Sequence, residues 1–296
     1  MQTLSSRLAA GEILIAEGAM GTLLIEAGLE PGGCPEAFAL ERPEVLARIA
    51  REYLAAGAQV IHANTFGASP LKLAPYHLEG RMEEINRRAV EIVRAEVGGR
   101  AYVAASCGPS GRMLAPYGDA QPDDVETSYR RQMACLIAAG VDLISIETMM
   151  DLTEAQLAVR AAKSVSGAVP VAVTMTFDAT PRGFYTIMGV DIPSAAEGLI
   201  AAGADIVGSN CGNGIERMVA IARAFTAVTD RPLLIQSNAG LPETRDGKLV
   251  YSETPEFMAG YAGELIAAGA RILGGCCGTT PAHIRALRAA VDARRA

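Results

Sequence analysis

One phrase recurs four times along the 296-residue chain: AAGAQVI from Ala55, AAGVDLI from Ala138, AAGADIV from Ala201 and AAGARIL from Ala267. In each copy an alanine-rich helical stretch meets a glycine and then a short apolar, partly β-branched run. Glycine accepts the left-handed backbone that closes a helix, so each copy reads as a helix end delivering the chain into a strand. Repeated βα units constrain a chain to a parallel sheet covered by helices.

Eight apolar runs fit the strands, at 13–16, 60–63, 102–105, 143–146, 170–176, 205–208, 233–236 and 271–273. Amphipathic stretches at 43–56, 82–95, 123–139, 153–162, 192–202, 215–226, 255–268 and 281–293 have the apolar spacing of helices. Eight such units with no linker or low-complexity segment predict an α/β chain that forms a single domain over residues 1–296, closed as a (β/α)8 TIM barrel. A doubly wound sheet would open with a G-x-G-x-x-G loop after its first strand, and GAMGT at 18–22 is not one.

Half of the residues are hydrophobic and a fifth charged, enough apolar surface for a continuous core, which excludes a disordered chain. No apolar run approaches the ~18 residues that span a bilayer, and the first 21 residues lack an apolar stretch followed by a cleavage site. The expectation is an untargeted cytoplasmic protein with no membrane partner. A net charge of −7 without a basic run speaks against nucleic acid and for a small-molecule partner.

In a barrel, chemistry belongs at the carboxyl ends of the strands. Here those ends spell EGAMGT, HANTF, SCGPSG, IETMMD, TMTFD, GSNCGNG, QSNAG and GGCCGTT. Cys211 ends the sixth strand, and Cys276 and Cys277 end the eighth. Without a secretion signal, six cysteines read as reduced thiols suited to metal or catalysis. Three thiolates converging at one rim would make a tetrahedral zinc site with one open position, as catalytic zinc requires. Adjacent strand residues point to opposite faces, so Cys276 and Cys277 can share an ion only where the backbone leaves strand geometry; Gly274, Gly275 and Gly278 would permit that. The same spacing also suits buried hydrophobes or a vicinal disulfide. Cys34, Cys107 and Cys135 have no partner at ligand spacing and are assigned no chemistry. His62, at a strand end, could face the pocket, but a satisfied core histidine is the commoner outcome; His77 and His283 read as peripheral. Thr280 and Pro281 read as the cap and first residue of the last helix.

Taken in order, EGAMGT, NTF, GPSG, ET, GSNCGNG, SNAGLP and GGCCGTTP resemble the homocysteine S-methyltransferase family over nearly the whole chain, above all the homocysteine-binding module of cobalamin-dependent methionine synthases. The resemblance implies that Cys211, Cys276 and Cys277 bind Zn2+, with Asn238 able to take the fourth position when substrate is absent. It implies that the backbone N–H groups of Ala19 and Met20 and the carboxylate of Glu147 bind the amino-acid part of homocysteine. That fits the chemistry, since a carboxylate needs N–H donors and an ammonium an acidic partner. Asn64 and Asn210 would order the rim around the ligand. Glu17 stands where the family usually has Asp, which leaves its role open.

The implied reaction is methylation of the homocysteine thiolate to methionine. A methylcorrinoid is the expected donor and, because the chain contains no D-x-H-x-x-G cobalamin motif, cobalamin is expected on a separate protein. Betaine or S-methylmethionine are alternative donors, and a non-catalytic module holding zinc or docking a corrinoid protein is an alternative role. An aldolase would want a lysine at a strand end, and Lys72, Lys163 and Lys248 fall elsewhere.

Overall fold

The computed structural model describes residues 1–245 and 248–294. All eight expected strands are present: β1 (Leu14–Ile15), β2 (Val60–Ala63), β3 (Tyr102–Cys107), β4 (Leu143–Met149), β5 (Val171–Met175), β6 (Ile206–Asn210), β7 (Leu233–Ser237) and β8 (Ala270–Gly275). Each pairs in parallel with its sequence neighbour, and β8 pairs with β1. The ring closes through a parallel bridge between Ala16 and Val60, supported by Gln59 N–H donating to Ile15 O at 2.7 Å. The glycines of the four repeated phrases, Gly57, Gly140, Gly203 and Gly269, all adopt positive φ of 85° to 109°, the backbone the phrase called for.

The period-two alternation of each strand divides the core. Ile61, Val103, Ile144, Val173, Val207, Ile235 and Leu273 face outward and join the helices in the main apolar cluster. Leu14, Val60, Tyr102, Leu143, Ala172, Ile206, Leu234 and Ile272 face inward and fill the lower barrel, where Leu4 and Leu8 of the helix Leu4–Ala9 join them as a plug. Tyr102 Oη ties that plug down by donating to Gln2 O at 2.6 Å. One or two steps further along the same inward faces the residues turn polar: His62, Ser106, Ser145, Glu147, Thr174, Asn210 and Gln236. The inner stack is therefore apolar and closed at one end, polar and open at the other.

Several strands outrun the apolar runs that announced them, because β4, β6 and β8 continue into the polar words IETM, SN and GG. The stretch 255–268 is not one helix. It breaks at Tyr261 into Pro255–Gly260 and Ala262–Ala267, where Gly260 and Gly263 weaken the helical backbone. A hairpin at Asp178–Tyr185 after β5 and another begun by Glu243–Arg245 after β7 were not anticipated; both are short and carry no strong alternation.

Candidate active site and metal centre

The polar mouth of the barrel holds a pocket of about 290 Å3 whose wall includes Glu17, Ala19, Met20, His62, Asn64 and Ser106 on one side. Glu147, Asn210, Cys211, Gln236, Cys276 and Cys277 also line it. No lysine or arginine lines it, and Phe66 is its one aromatic residue among the described residues.

The three cysteines meet as expected. Their sulfurs lie within 4.8 Å of one another, with Cys211 Sγ and Cys277 Sγ 3.9 Å apart. Zinc with Zn–S bonds of ~2.3 Å spaces tetrahedral sulfurs about 3.8 Å apart, so the cluster has the dimensions of a three-thiolate site. Two backbone departures bring it together. Cys211 leaves β6 with φ +61°, its N–H held by Gln236 O. Cys277 follows β8 in a turn in which Thr279 N–H and Oγ1 both bond Cys276 O, while Cys277 O accepts from Ala239 N–H. Gly274 and Gly275 do not supply this freedom, since both remain in the strand; they are small because Cβ atoms there would strike Glu17 O and Thr279. Gly278 does supply it, at φ +78°, and a Cβ there would also lie 2.1 Å from the Tyr251 ring. The positive φ of Cys211 was not foreseen, because non-glycine residues rarely adopt it.

Three clustered thiols cannot all ionise on their own. Hydrogen bonds from Cys276 and Cys277 draw Cys211 down to about 3, and as donors to Cys211 those two are raised, Cys277 to about 11. The cluster alone stabilises one thiolate, and a cation among the sulfurs is what would hold three. The Asn238 side chain also reaches Cys211, and its Oδ1 is buried with no partner among the described residues, which suits an oxygen available to a metal. Tyr251 hydrogen-bonds Cys277 from the segment after the second hairpin, a contact the sequence did not signal.

Asn210 orders the rim. Its Oδ1 accepts from Thr148 N–H and Thr174 Oγ1, both at 2.7 Å, while its Nδ2 donates to Thr148 Oγ1 and lies 3.8 Å from Cys276 Sγ. Thr148 itself has φ +61°. It sits in a bulge of β4, where the pairs Ile146–Val173 and Met149–Met175 set three steps against two. The bulge turns Glu147 into the pocket, where Ser106 Oγ donates to it. Burial pushes the Glu147 carboxyl upward, opposed by the charge of His62 and the Ser106 bond.

Across the pocket, Glu17 accepts from both His62 N–H and His62 Nδ1. His62 is therefore not the satisfied core histidine expected, because its Nε2 is buried at the pocket wall without a partner. Its signal was only its place at a strand end beside a glutamate, which the spacing of residues 17 and 62 concealed. Ala19 N–H donates to Thr279 Oγ1 at 3.0 Å, so a protein partner already occupies it. Asn64 lines the pocket and donates to Pro35 O, holding the loop after the short helix Gly21–Glu26. His283 is not peripheral. It is buried, caps the last helix by accepting from Thr280 N–H, and contacts Glu253 O through Nε2. Cys34, Cys107 and Cys135 lie apart from the sulfur cluster.

The model of the family described as homocysteine S-methyltransferase matches residues 14–291. Methionine synthases of Mycobacterium tuberculosis and Mycobacterium leprae are 32% and 31% identical over 94% and 98% of this chain; the chain spans only 24% and 25% of their length. The homocysteine methyltransferase MmuM of Escherichia coli superposes in its metallated form with a TM-score of 0.81 at 25% identity, covering 97% of this chain and 99% of that one. Its oxidized form gives 0.77 at 26% identity, covering 94% and 95%. A sulfur cluster and a carboxylate facing one barrel-mouth pocket, together with a family model matched from the first strand to the last helix, establish that this chain belongs to the homocysteine S-methyltransferase family.

Proposed function

We propose that the chain methylates the thiolate of homocysteine to give methionine, with Cys211, Cys276 and Cys277 holding Zn2+. The observation that carries this is the juxtaposition, in one small pocket, of three mutually close sulfurs and the carboxylate of Glu147. When bound, zinc would lower the pKa of the incoming thiol and present it as a nucleophile at neutral pH. The rest is positioning. Glu147 faces the substrate ammonium, Ser106 fixes that carboxylate, and Asn210 steadies both Cys276 and the bulge that aims Glu147. Met20 presents its N–H at the pocket wall, and the Asn238 side chain, within reach of Cys211, would give way to the substrate sulfur.

In the transfer, sulfur's electron pair forms the S–CH3 bond, and the bond from methyl to its carrier breaks with its pair remaining on the carrier. A methylcorrinoid borne on a separate protein is the proposed donor, supported by the methionine synthase relatives. A quaternary ammonium donor would favour an aromatic cage, and among the described residues Phe66 is the one phenyl, phenol or indole side chain in the pocket lining. The test supplies zinc-loaded protein and homocysteine with methylcobalamin, glycine betaine or S-methylmethionine in separate reactions and measures methionine. Product from methylcobalamin alone supports the proposal, product from another donor replaces the carrier, and failure of homocysteine to bind at the metal supports a non-catalytic module.

A further inference from the structure

An amino acid entering this pocket brings a carboxylate as well as an ammonium and a thiol. The ammonium has Glu147 and the thiol has the cysteine cluster. Among the described residues the carboxylate has no lysine or arginine to meet, since none lines the pocket. Of the two backbone donors in the GAMG turn, the Ala19 N–H is already given to Thr279 Oγ1. That leaves the anion short of a charged partner in a site where an unpaired charge is costly.

His62 fits the vacancy in the donor set. It stands on the inward face of β2, 5% exposed, at the pocket wall. Glu17 holds it at two points, through its backbone N–H and its Nδ1, so the ring cannot rotate freely and its other nitrogen is presented to the pocket. That nitrogen, Nε2, is a buried polar atom with no partner among the described residues. Resting on the proposed function, we infer that His62, oriented by Glu17, recognises the α-carboxylate of the substrate through Nε2–H and so selects an amino acid over a simple aminothiol. Burial works against charge on the ring, but the charge and hydrogen bond of Glu17, with the charge of Glu147, outweigh it and raise His62 to about 9. Near neutral pH the ring is thus an imidazolium and both its nitrogens donate. Glu17 and Glu147 are the charged side chains acting on it. The longer side chain at position 17 also acquires a purpose, since it spans to both donors of His62.

The test compares two ligands on the zinc-loaded full chain by titration calorimetry: homocysteine, and 3-aminopropane-1-thiol, which keeps thiol and amine and lacks the carboxylate. A charge-assisted hydrogen bond corresponds to about 10-fold to 10²-fold in affinity. Wild type should prefer homocysteine by at least that factor, and His62→Gln and His62→Ala should lose the preference, weakening homocysteine binding by more than aminothiol binding. Equal losses for both ligands, or an undiminished preference, would overturn the assignment. A second measurement needs no variant: in protein labelled with 15N-histidine, the His62 Nε2 resonance should move on adding homocysteine and stay in place with the aminothiol. An Nε2 resonance that responds identically to the two ligands refutes the inference. Absence of binding by either ligand to wild type would instead sink the homocysteine reading itself.

Discussion

The two sides of the pocket are built by opposite means. On the side of β6, β7 and β8, the sulfurs are placed by backbone that leaves regular geometry, at Cys211 with its positive φ and in the turn at Cys277 and Gly278. On the side of β1 to β3, ordinary strands hold their line and side chains do the placing, Glu17 gripping His62 and Ser106 bonding Glu147, which the β4 bulge has already turned inward. On the proposed function, the difference follows from what each side would bind. A metal tolerates little error in ligand spacing, and rigid backbone sets it. An amino acid needs charges of fixed sign, and paired side chains in a buried site supply them.

If the sulfur side is an all-or-none unit, Cys211→Ala or Cys277→Ala should abolish zinc retention and methyl transfer while circular dichroism still reports a folded barrel; full activity in either would break the contrast. The charged side should fail more gently. Glu147→Gln is expected to leave zinc stoichiometric by metal analysis yet weaken homocysteine binding about 10-fold to 10²-fold, the cost of a charge-assisted hydrogen bond. Asn210 joins the two sides, so Asn210→Ala should lower zinc affinity by about 10-fold or somewhat more in a chelator competition, the usual penalty for losing a group that orients a ligand.

The last effect concerns pH and is read in stability, not in binding. Because His62 is raised to about 9 from about 6.5, its pairing with Glu17, under the further influence of Glu147, stabilises the fold fully below about pH 6.5. That contribution, on the order of 3 kcal/mol, declines as pH rises and is lost through about pH 9. Denaturant midpoints of His62→Asn should show a correspondingly flatter decline over this window.

The sulfur side was legible in the sequence, and the charged side only in part. Adjacent cysteines are rare enough to announce themselves, and the AAG phrases placed them at strand ends. Glu147 was marked by its motif, but the bulge that aims it depends on how β4 and β5 register, which no local pattern encodes. Glu17 and His62 are 45 positions apart and become neighbours only when the ring closes through Ala16 and Val60. The inner plug, Leu4 and Leu8, was invisible for the same reason: two leucines in a short helix do not say which surface they will cover.

Thr148 and Cys211 both sit in left-handed backbone at the mouth, two strands apart, and Asn210, the neighbour of Cys211, bonds Thr148. Such conformations cost roughly 1–3 kcal/mol each for residues with a Cβ, and they persist only where surroundings over-determine them. A glycine at 148 would relax the turn and could yield a hardier protein, but it would surrender the hydroxyl that clasps the asparagine. The lip of this barrel is accordingly a spring already wound before any guest arrives, and thermal robustness has been exchanged for a receptacle that need not rearrange.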